Sequence, residues 1–165
     1  MKQTPVTLVF LIIAILAWCV QNTAIAQERS APDPCTLLSK ADIETVIGQK
    51  AGDGTVNPSA NPQAGSPCQY IVGSGGVFSI LIKKAASDEK AAKVMEELKK
   101  RNIPVSEAPG IGDHSFFSSP GYGMVQLNTF KEAHYLIITM LVPGATEANQ
   151  KTAAAALMAK ALSHL

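Results

Sequence analysis

Two pairs of strand-like segments, each joined by a short turn, constrain the fold of this 165-residue chain more than any other feature. Residues 68–72 and 77–82 flank the turn Gly73-Ser74-Gly75-Gly76, and residues 124–130 and 134–142 flank a turn at 131–133. Strands joined by turns this short pair antiparallel. The sequence therefore predicts two β-hairpins.

The strand at 77–82 shows which of its faces is buried. Phe78, Ile80 and Ile82 point to one side, and Ser79 points to the other. This alternation is typical of a strand with one face in the core and one face outside it.

Three helices are predicted around the hairpins. Ser39 is a candidate N-cap with Asp42 in a capping-box position, and Gly48 is the natural end of that helix. Ser87 and Thr146 are the candidate N-caps of the second and third helices. The order helix, hairpin, helix, hairpin, helix predicts a single α+β domain over residues 35–165. In it, three helices pack on an antiparallel sheet of about four to six strands.

The amino terminus has the features of a secretory signal peptide. The apolar run at 8–20 is shorter than the roughly 20 residues of a membrane span, and Ala24-Ile25-Ala26 forms a small-residue cleavage site. We predict a signal peptide at 1–26, a polar tether at 27–34 and no membrane span after cleavage. The bulky Trp18 before Cys19 disfavours lipid anchoring at that cysteine. The protein is thus expected to be exported, either to the periplasm or out of the cell.

Two cysteines, Cys35 and Cys68, remain after cleavage. In an oxidising compartment the default expectation is a disulfide between them. A metal site or a redox pair is the alternative, but the chain has no C-x-x-C spacing and no histidine close to either cysteine.

Composition and motifs narrow the function. The chain carries 14 basic and 13 acidic residues, so no excess charge attracts nucleic acid. It has no Walker A loop, H-E-x-x-H or G-x-S-x-G motif, and adjacent Asp113-His114-Ser115 cannot form a catalytic triad. The spacing of the three histidines favours no metal site. No cofactor is predicted.

Two segments, 48–67 and 104–123, are rich in glycine and proline and predict long loops. The second is a candidate binding loop that contains Asp113, His114, Phe116, Phe117 and Tyr122. In the alternative interpretation, Phe116 and Phe117 are core residues of a short strand, Tyr122 packs over it, Asp113 caps a turn and His114 is exposed. We expect a non-catalytic envelope module that binds a partner protein or a small ligand. The alternative is a small secreted hydrolase that uses dispersed residues near His114.

Three short motifs carry a resemblance to a known family. They are Cys35-Thr36-Leu37-Leu38-Ser39-Lys40-Ala41-Asp42-Ile43, then Cys68-Gln69-Tyr70, then Gly110-Ile111-Gly112-Asp113, followed by an alanine-rich terminal helix. Over residues 33–165 the chain resembles a family of small secreted bacterial proteins of unknown function, common among actinobacterial lipoproteins. The resemblance implies a disulfide-bearing extracytoplasmic α+β domain, akin to the PsbP-like fold, and brings no catalytic residues. Those relatives are often lipid-anchored, whereas this chain has its better cleavage site at Ala26.

Overall fold

The structure, a computed structural model, describes residues 31–58, 65–86 and 89–165. The predicted signal peptide and residues 27–30 of the predicted tether lie outside the described residues. Within them the strands are β1 (Thr55–Val56), β2 (Cys68–Val72), β3 (Gly76–Lys84), β4 (Val105–Glu107), β5 (His114–Gly121), β6 (Met124–Lys131) and β7 (His134–Leu141). The helices are α1 (Lys40–Ile47), α2 (Ala91–Lys100) and α3 (Glu147–Leu162), and a 3-10 helix spans Pro34–Thr36.

Both predicted hairpins are confirmed as β2–β3 and β6–β7, and they lie side by side because β3 pairs with β7. The described strands form one antiparallel sheet in the order β1-β2-β3-β7-β6-β5-β4. The α+β class is correct, but seven strands stand where four to six were expected. The predicted order of helices and hairpins is kept, but β1 lies between α1 and the first hairpin, and β4 and β5 lie between α2 and the second hairpin.

The additional strands come from the two segments that were predicted as loops. Residues before and within β1 run beside β2, and the Gly52 N–H donates to the Ile71 carbonyl at 2.8 Å. In β5, the sequence His-Ser-Phe-Phe-Ser-Ser-Pro-Gly places one phenylalanine on each face of the sheet, so no apolar–polar alternation marks the strand. Residues 59–64 of the first predicted loop lie outside the described residues.

Helix α1 begins and ends as predicted. The Ser39 hydroxyl accepts the Asp42 N–H at 3.2 Å, and the Asp42 carboxylate accepts the Ser39 N–H at 2.9 Å, which completes the capping box. Gly48 ends the helix with a left-handed φ of 75°, a conformation that glycine adopts without a Cβ clash.

The predicted disulfide is present and ties the segment before α1 to β2. The Cα atoms of Cys35 and Cys68 are 5.0 Å apart. Two residues along β2, the Tyr70 hydroxyl donates to the Leu38 carbonyl at 2.9 Å. The disulfide and this hydrogen bond therefore hold the entrance of α1 against the sheet.

The main core lies on the sheet face that α1 and α3 cover, here called the core face. Thr146 caps α3 as predicted, its hydroxyl accepting the Asn149 N–H at 3.2 Å. The sequence predicts an apolar stripe in this helix at Ala154, Leu157, Met158, Ala161, Leu162 and Leu165. The first four are buried and Leu162 is half-buried, but Leu165 lies beyond the end of the helix and is 46% exposed. The four buried side chains pack against Phe78, Ile80 and other buried residues of β2, β3, β6 and β7.

Helix α2 packs on the opposite face, here called the outer face, and it begins later than expected. Its N-cap is Lys90, without a side-chain capping bond, so the predicted start at Ser87 is wrong; Ser87 itself lies outside the described residues. The physical reason lies at Glu89. Its carboxylate accepts the Ala86 N–H at 3.2 Å and pairs with the Lys83 ammonium at 2.8 Å, so Glu89 is fixed to the end of β3 and to the segment just after it, and the helix begins only beyond Glu89.

A second, smaller core forms beneath α2. Phe116, Phe130 and Tyr135 are buried there, and the rings of Phe130 and Tyr135 stack with centroids 4.3 Å apart. The apolar side of α2 faces this cluster through half-buried side chains: Ala91, Val94, Met95 and Leu98. The outer face is thus covered by α2 mainly over β4 and β5. In the described part of the chain, no helix is both long and apolar enough to span a bilayer.

Candidate functional site

The five residues of the predicted binding loop do not meet in one place. Phe116 is buried under α2 on the outer face, whereas Phe117 packs against the main core on the other side of the sheet. The Lys151 ammonium lies 5.5 Å from the centre of the Phe117 ring. This separation follows from the alternation of side chains along a strand. Both phenylalanines therefore belong to a strand and to the interior, as the alternative interpretation stated.

Asp113 stabilises the turn between β6 and β7. Its carboxylate accepts the Glu132 N–H at 2.7 Å and pairs with the Lys131 ammonium at 3.1 Å. The Glu132 hydrogen bond, and after it the Lys131 ammonium, hold the pKa of this carboxyl below its usual range. A carboxylate committed in this way stabilises structure and is a poor general base.

His114 is exposed, as predicted, and borders a groove of about 600 Å³ beside α2. The groove is walled by alanines and includes Phe130, Glu89 and Glu132. Among the described residues, no side chain forms a hydrogen bond with the His114 ring, and no group of three or more potential metal ligands occurs. The neighbouring Ser115 hydroxyl is turned to the other face, where it donates to the Ile111 carbonyl at 2.6 Å. Within the described part of the chain, the His114 ring thus has neither a side chain that orients it nor an adjacent nucleophile.

Tyr122 does not pack over β5. It lies at the tip of the β5–β6 turn, with its side chain 99% exposed and a φ of 55°. The interpretation in which this ring covers the strand is therefore wrong, and the aromatic group is presented to solvent.

A groove of about 670 Å³ lies between α1 and α3. Val46, Ile47 and Ala153 contribute apolar walls, and Gln49 and Asn149 contribute uncharged polar groups. A cavity of this size and lining suits a small apolar ligand.

The most distinctive surface is the part of the outer face that α2 does not cover. Ile71, Val77 and Leu141 are directly paired across β2, β3 and β7, so their side chains form one apolar row. Ile71 is 53% exposed, and the other two are half-buried. A contiguous row of aliphatic side chains that remains partly exposed on a sheet face is a candidate interaction surface.

A polar row lies directly beside the apolar one. Gln69, Ser79 and Thr139 are paired across the same three strands, and all are half-buried. None of these side chains ionises near neutral pH. We call the six residues of the two rows the open surface: Gln69, Ile71, Val77, Ser79, Thr139 and Leu141.

A chain of hydrogen bonds connects the open surface to the small core under α2. The Tyr135 hydroxyl donates to the Asn128 carbonyl oxygen at 2.6 Å, and the Asn128 amide donates to the Ser118 hydroxyl at 3.1 Å. Ser118 then donates to the Gln126 carbonyl oxygen at 3.4 Å, and the Gln126 amide donates to the Thr139 hydroxyl at 3.2 Å. Burial, and after it the Glu89 carboxylate, raise the pKa of Tyr135, so this phenol remains a donor.

This chain of hydrogen bonds has a direction. Every member donates to the next, and Thr139 receives the last bond, which leaves its own hydroxyl proton unused within the described residues. Ser79, directly opposite, likewise forms no side-chain hydrogen bond there. The open surface therefore offers two hydroxyl groups to whatever binds it.

The sequence predicts which residues of β3 contribute to this surface, but it does not predict which strands lie beside β3. The alternation at 77–82 placed Ser79 away from the core, and the same reasoning applies to Val77. The strand order is also needed, because only the pairing of β3 with β7 brings Thr139 and Leu141 next to these residues. Sequence patterns do not reveal which strands become neighbours.

Comparison of the chain with protein-family models, with curated proteins and with solved structures finds no match. The fold and the site together define a disulfide-bonded α+β domain with one partly uncovered sheet face.

Proposed function

We propose that the protein is an exported cell-envelope module that acts by binding a partner protein, without catalysis, through the open surface. The observation that carries the proposal is the apolar row of an exposed Ile71 and half-buried Val77 and Leu141, which lies beside an uncharged polar row. The core of a protein–protein interface is apolar and poor in charge, with polar groups near its rim.

The open surface is preferred to the groove between α1 and α3 as the site of function. It extends over three neighbouring strands and presents hydroxyl donors beside aliphatic side chains, a combination that suits a protein surface better than a small molecule.

Crosslinking in cells tests the binding proposal. A photoreactive phenylalanine derivative replaces Ile71 in one variant and Val56 in a matched control. Val56 is 49% exposed and also lies on the β1–β2 side of the sheet, but it pairs with Cys68 and so belongs to the other face. Illumination should give a defined crosslinked species from position 71 and none from position 56. Absence of any species specific to position 71 would sink the proposal.

Export is supported by the signal-peptide pattern of the sequence, and the disulfide is compatible with an oxidising compartment. Sequencing the amino terminus of the protein isolated from its native compartment should give Gln27 as the first residue. A diacylglyceryl group on Cys19 would contradict cleavage at Ala26 and would place the protein on a membrane surface.

The hydrolase alternative requires His114 to act as an acid or a base. The arrangement around it offers no support, because the Asp113 carboxylate is held by Glu132 and Lys131. We expect His114→Ala to change any measured activity of the protein less than twofold. A loss of about a hundredfold or more, with the fold intact, would favour the enzyme instead.

The resemblance to the secreted bacterial family, and the PsbP-like fold that it suggests, remain predictions. Its motifs coincide with structural contacts in this chain: Cys35 and Cys68 form the disulfide, and Asp113 fixes a turn. Motifs of this kind specify a fold more directly than a function, so they support the exported-domain part of the proposal.

A further inference from the structure

We infer that the partner of the open surface is a second copy of this chain, bound face to face in a symmetric dimer. This inference rests on the proposed function and names the partner for that surface.

The first argument is the absence of charge. In a two-fold symmetric interface the same patch meets itself, so each residue near the axis lies close to its own copy. A charged residue there would face an identical charge. The polar row contains only Gln69, Ser79 and Thr139, and the apolar row contains only aliphatic side chains.

The second argument is the hydrogen-bonding character of the polar row. Hydroxyl and amide groups both donate and accept, so a row of them is complementary to its own copy. The unused hydroxyl protons of Ser79 and Thr139 can donate to the amide or hydroxyl oxygens of a second copy. A partner that carried only acceptors or only donors would use half of this capacity.

The third argument is geometric. Two sheets pack face to face about 10 Å apart, with aliphatic side chains interdigitating between them. The strands β2, β3, β7 and β6 are neighbours. With strands about 4.8 Å apart, the three intervals between them make the outer face about 14 Å wide there. A contact confined to this width makes a small interface, and small interfaces associate weakly. The dimer should therefore form at high protein concentration and dissociate on dilution.

The open surface is also bordered in a way that leaves room for a copy. The segment at Gly65 reaches the outer face at Leu81, since a Cβ added to Gly65 would lie 2.7 Å from Leu81 Cδ1. On the other side α2 covers β4 and β5. The Ile71–Val77–Leu141 end lies away from both borders.

Sedimentation velocity of the exported protein, purified from its native compartment, tests this inference. Over about 5 to about 500 µM, a range suited to weak interfaces, the average mass should rise from that of one copy toward that of two. Ile71→Lys should remain monomeric throughout, because two lysines would face each other. Val56→Lys, an equally exposed aliphatic position on the other face, should dimerise like the parent protein.

Ser79→Glu provides a second variant in case Ile71→Lys fails to fold, and it should also remain monomeric. A parent protein that stays monomeric at the highest concentration would overturn the inference, as would a folded Ile71→Lys variant that dimerises fully. Crosslinking from position 71 in cells would then still support the proposed function with a different partner. Dimerisation that persists without any crosslink from position 71 would place the dimer contact on another surface and would overturn both the inference and the proposed function.

Discussion

At Gly112 the absence of a side chain allows the turn before β5 to lie directly on β6. Its φ is +60°, and a Cβ built there would lie 2.7 Å from Thr129 Cγ2 and 2.8 Å from the Phe130 carbonyl oxygen. Gly110, two residues earlier in the same motif, has a φ of +85° but open space around it. Substitution of Gly110 therefore tests backbone strain alone, whereas substitution of Gly112 tests backbone strain together with a steric clash.

We predict that Gly112→Ala lowers the free energy of unfolding by about 2–4 kcal/mol, because strain and overpacking act together. Gly110→Ala should lower it by only about 1 kcal/mol, since strain acts alone. Urea denaturation of both variants measures the difference. Equal losses at the two positions would show that the contact of residue 112 with β6 does not matter.

Asp42 joins two helices as well as capping one. Its carboxylate pairs with the Lys160 ammonium of α3 at 2.5 Å and accepts the Ser39 N–H at 2.9 Å. The Lys160 interaction first, and then the Ser39 hydrogen bonds, lower the pKa of Asp42 to about 2. Because this folded-state pKa lies below the unfolded value, its stabilising contribution is present above about pH 4 and disappears as pH falls from about 4 to about 2.

Asp42→Asn should therefore lower the free energy of unfolding by about 1 kcal/mol at pH 7, a value reduced for partial solvent screening. At about pH 2 the variant and the parent should be equally stable. The exposed pair of Asp53 and Lys40, with an Asp53 side chain 93% exposed, supplies the control. Asp53→Asn should change the stability at pH 7 by less than about 0.5 kcal/mol. A difference between Asp42→Asn and the parent that persists unchanged at pH 2 would contradict the assignment.

Single-residue signals in the sequence were informative where the chemistry is local. The cap at Ser39, the end of α1 at Gly48 and the exposure of His114 were all predicted, and each depends on residues within a few positions. The two phenylalanines of β5 were ambiguous because adjacent residues in a strand face opposite ways, and the layer that covers each one comes from a distant helix.

At the scale of elements, the disulfide determines how α1 meets the sheet. It closes a segment with a sequence separation of 33, which includes α1 and β1. In the chain-entropy model, closing a loop of this length lowers the entropy of the unfolded chain and so stabilises the folded state by about 3–4 kcal/mol.

We predict that the double variant Cys35→Ser, Cys68→Ser loses about 2–4 kcal/mol of stability and melts about 5–15 °C lower than the parent. Dithiothreitol should lower the melting temperature of the parent toward that of the variant and leave the variant unchanged. Thiol titration of denatured, unreduced protein from its native compartment should find no free thiol at these two positions. Two titratable thiols would show that the native protein has no disulfide at these positions, and the metal and redox interpretations would then have to be tested.

The elements that could be predicted from the sequence are those with a clear hydrophobic pattern and a recognisable turn or cap. The hairpins β2–β3 and β6–β7 have long apolar strands and short turns, and both were found. The strands β1 and β4 have two and three residues and form only because a longer strand offers them an edge. The start of α2 was misplaced because Glu89 bonds to Lys83 and Ala86, which a helix-cap pattern does not reveal.

At the scale of the whole molecule, the open surface results from how unequally the two sheet faces are covered. Of the three described helices, α1 and α3 cover the core face, whereas α2 lies on the outer face and packs mainly on β4 and β5. No sequence pattern predicts this, because it depends on the strand order and on where each helix returns to the sheet. The candidate site was therefore expected in a loop and instead emerged on the sheet.

The same inequality predicts two levels of stability within the domain. Helix α2 has no fully buried residue, whereas α3 buries five: Gln150, Ala154, Leu157, Met158 and Ala161. The N-cap of α2, Lys90, makes no side-chain capping bond. Its ammonium group also places a positive charge at the positive end of the helix dipole. Opening of α2 alone exposes only the small cluster around Phe116 and leaves the main core intact.

We therefore predict that the amides of α2 exchange with solvent through a local opening at least about 2 kcal/mol lower in free energy than the opening that exposes α3, roughly a thirtyfold lower protection. Native-state hydrogen exchange at several urea concentrations measures both values. Leu98→Ala should lower the protection of α2 further, because it removes part of the stripe that faces the small core, and should leave α3 unchanged. Exchange of α2 and α3 at the same free energy, in the parent and in the variant, would instead show that the small core unfolds only together with the main one.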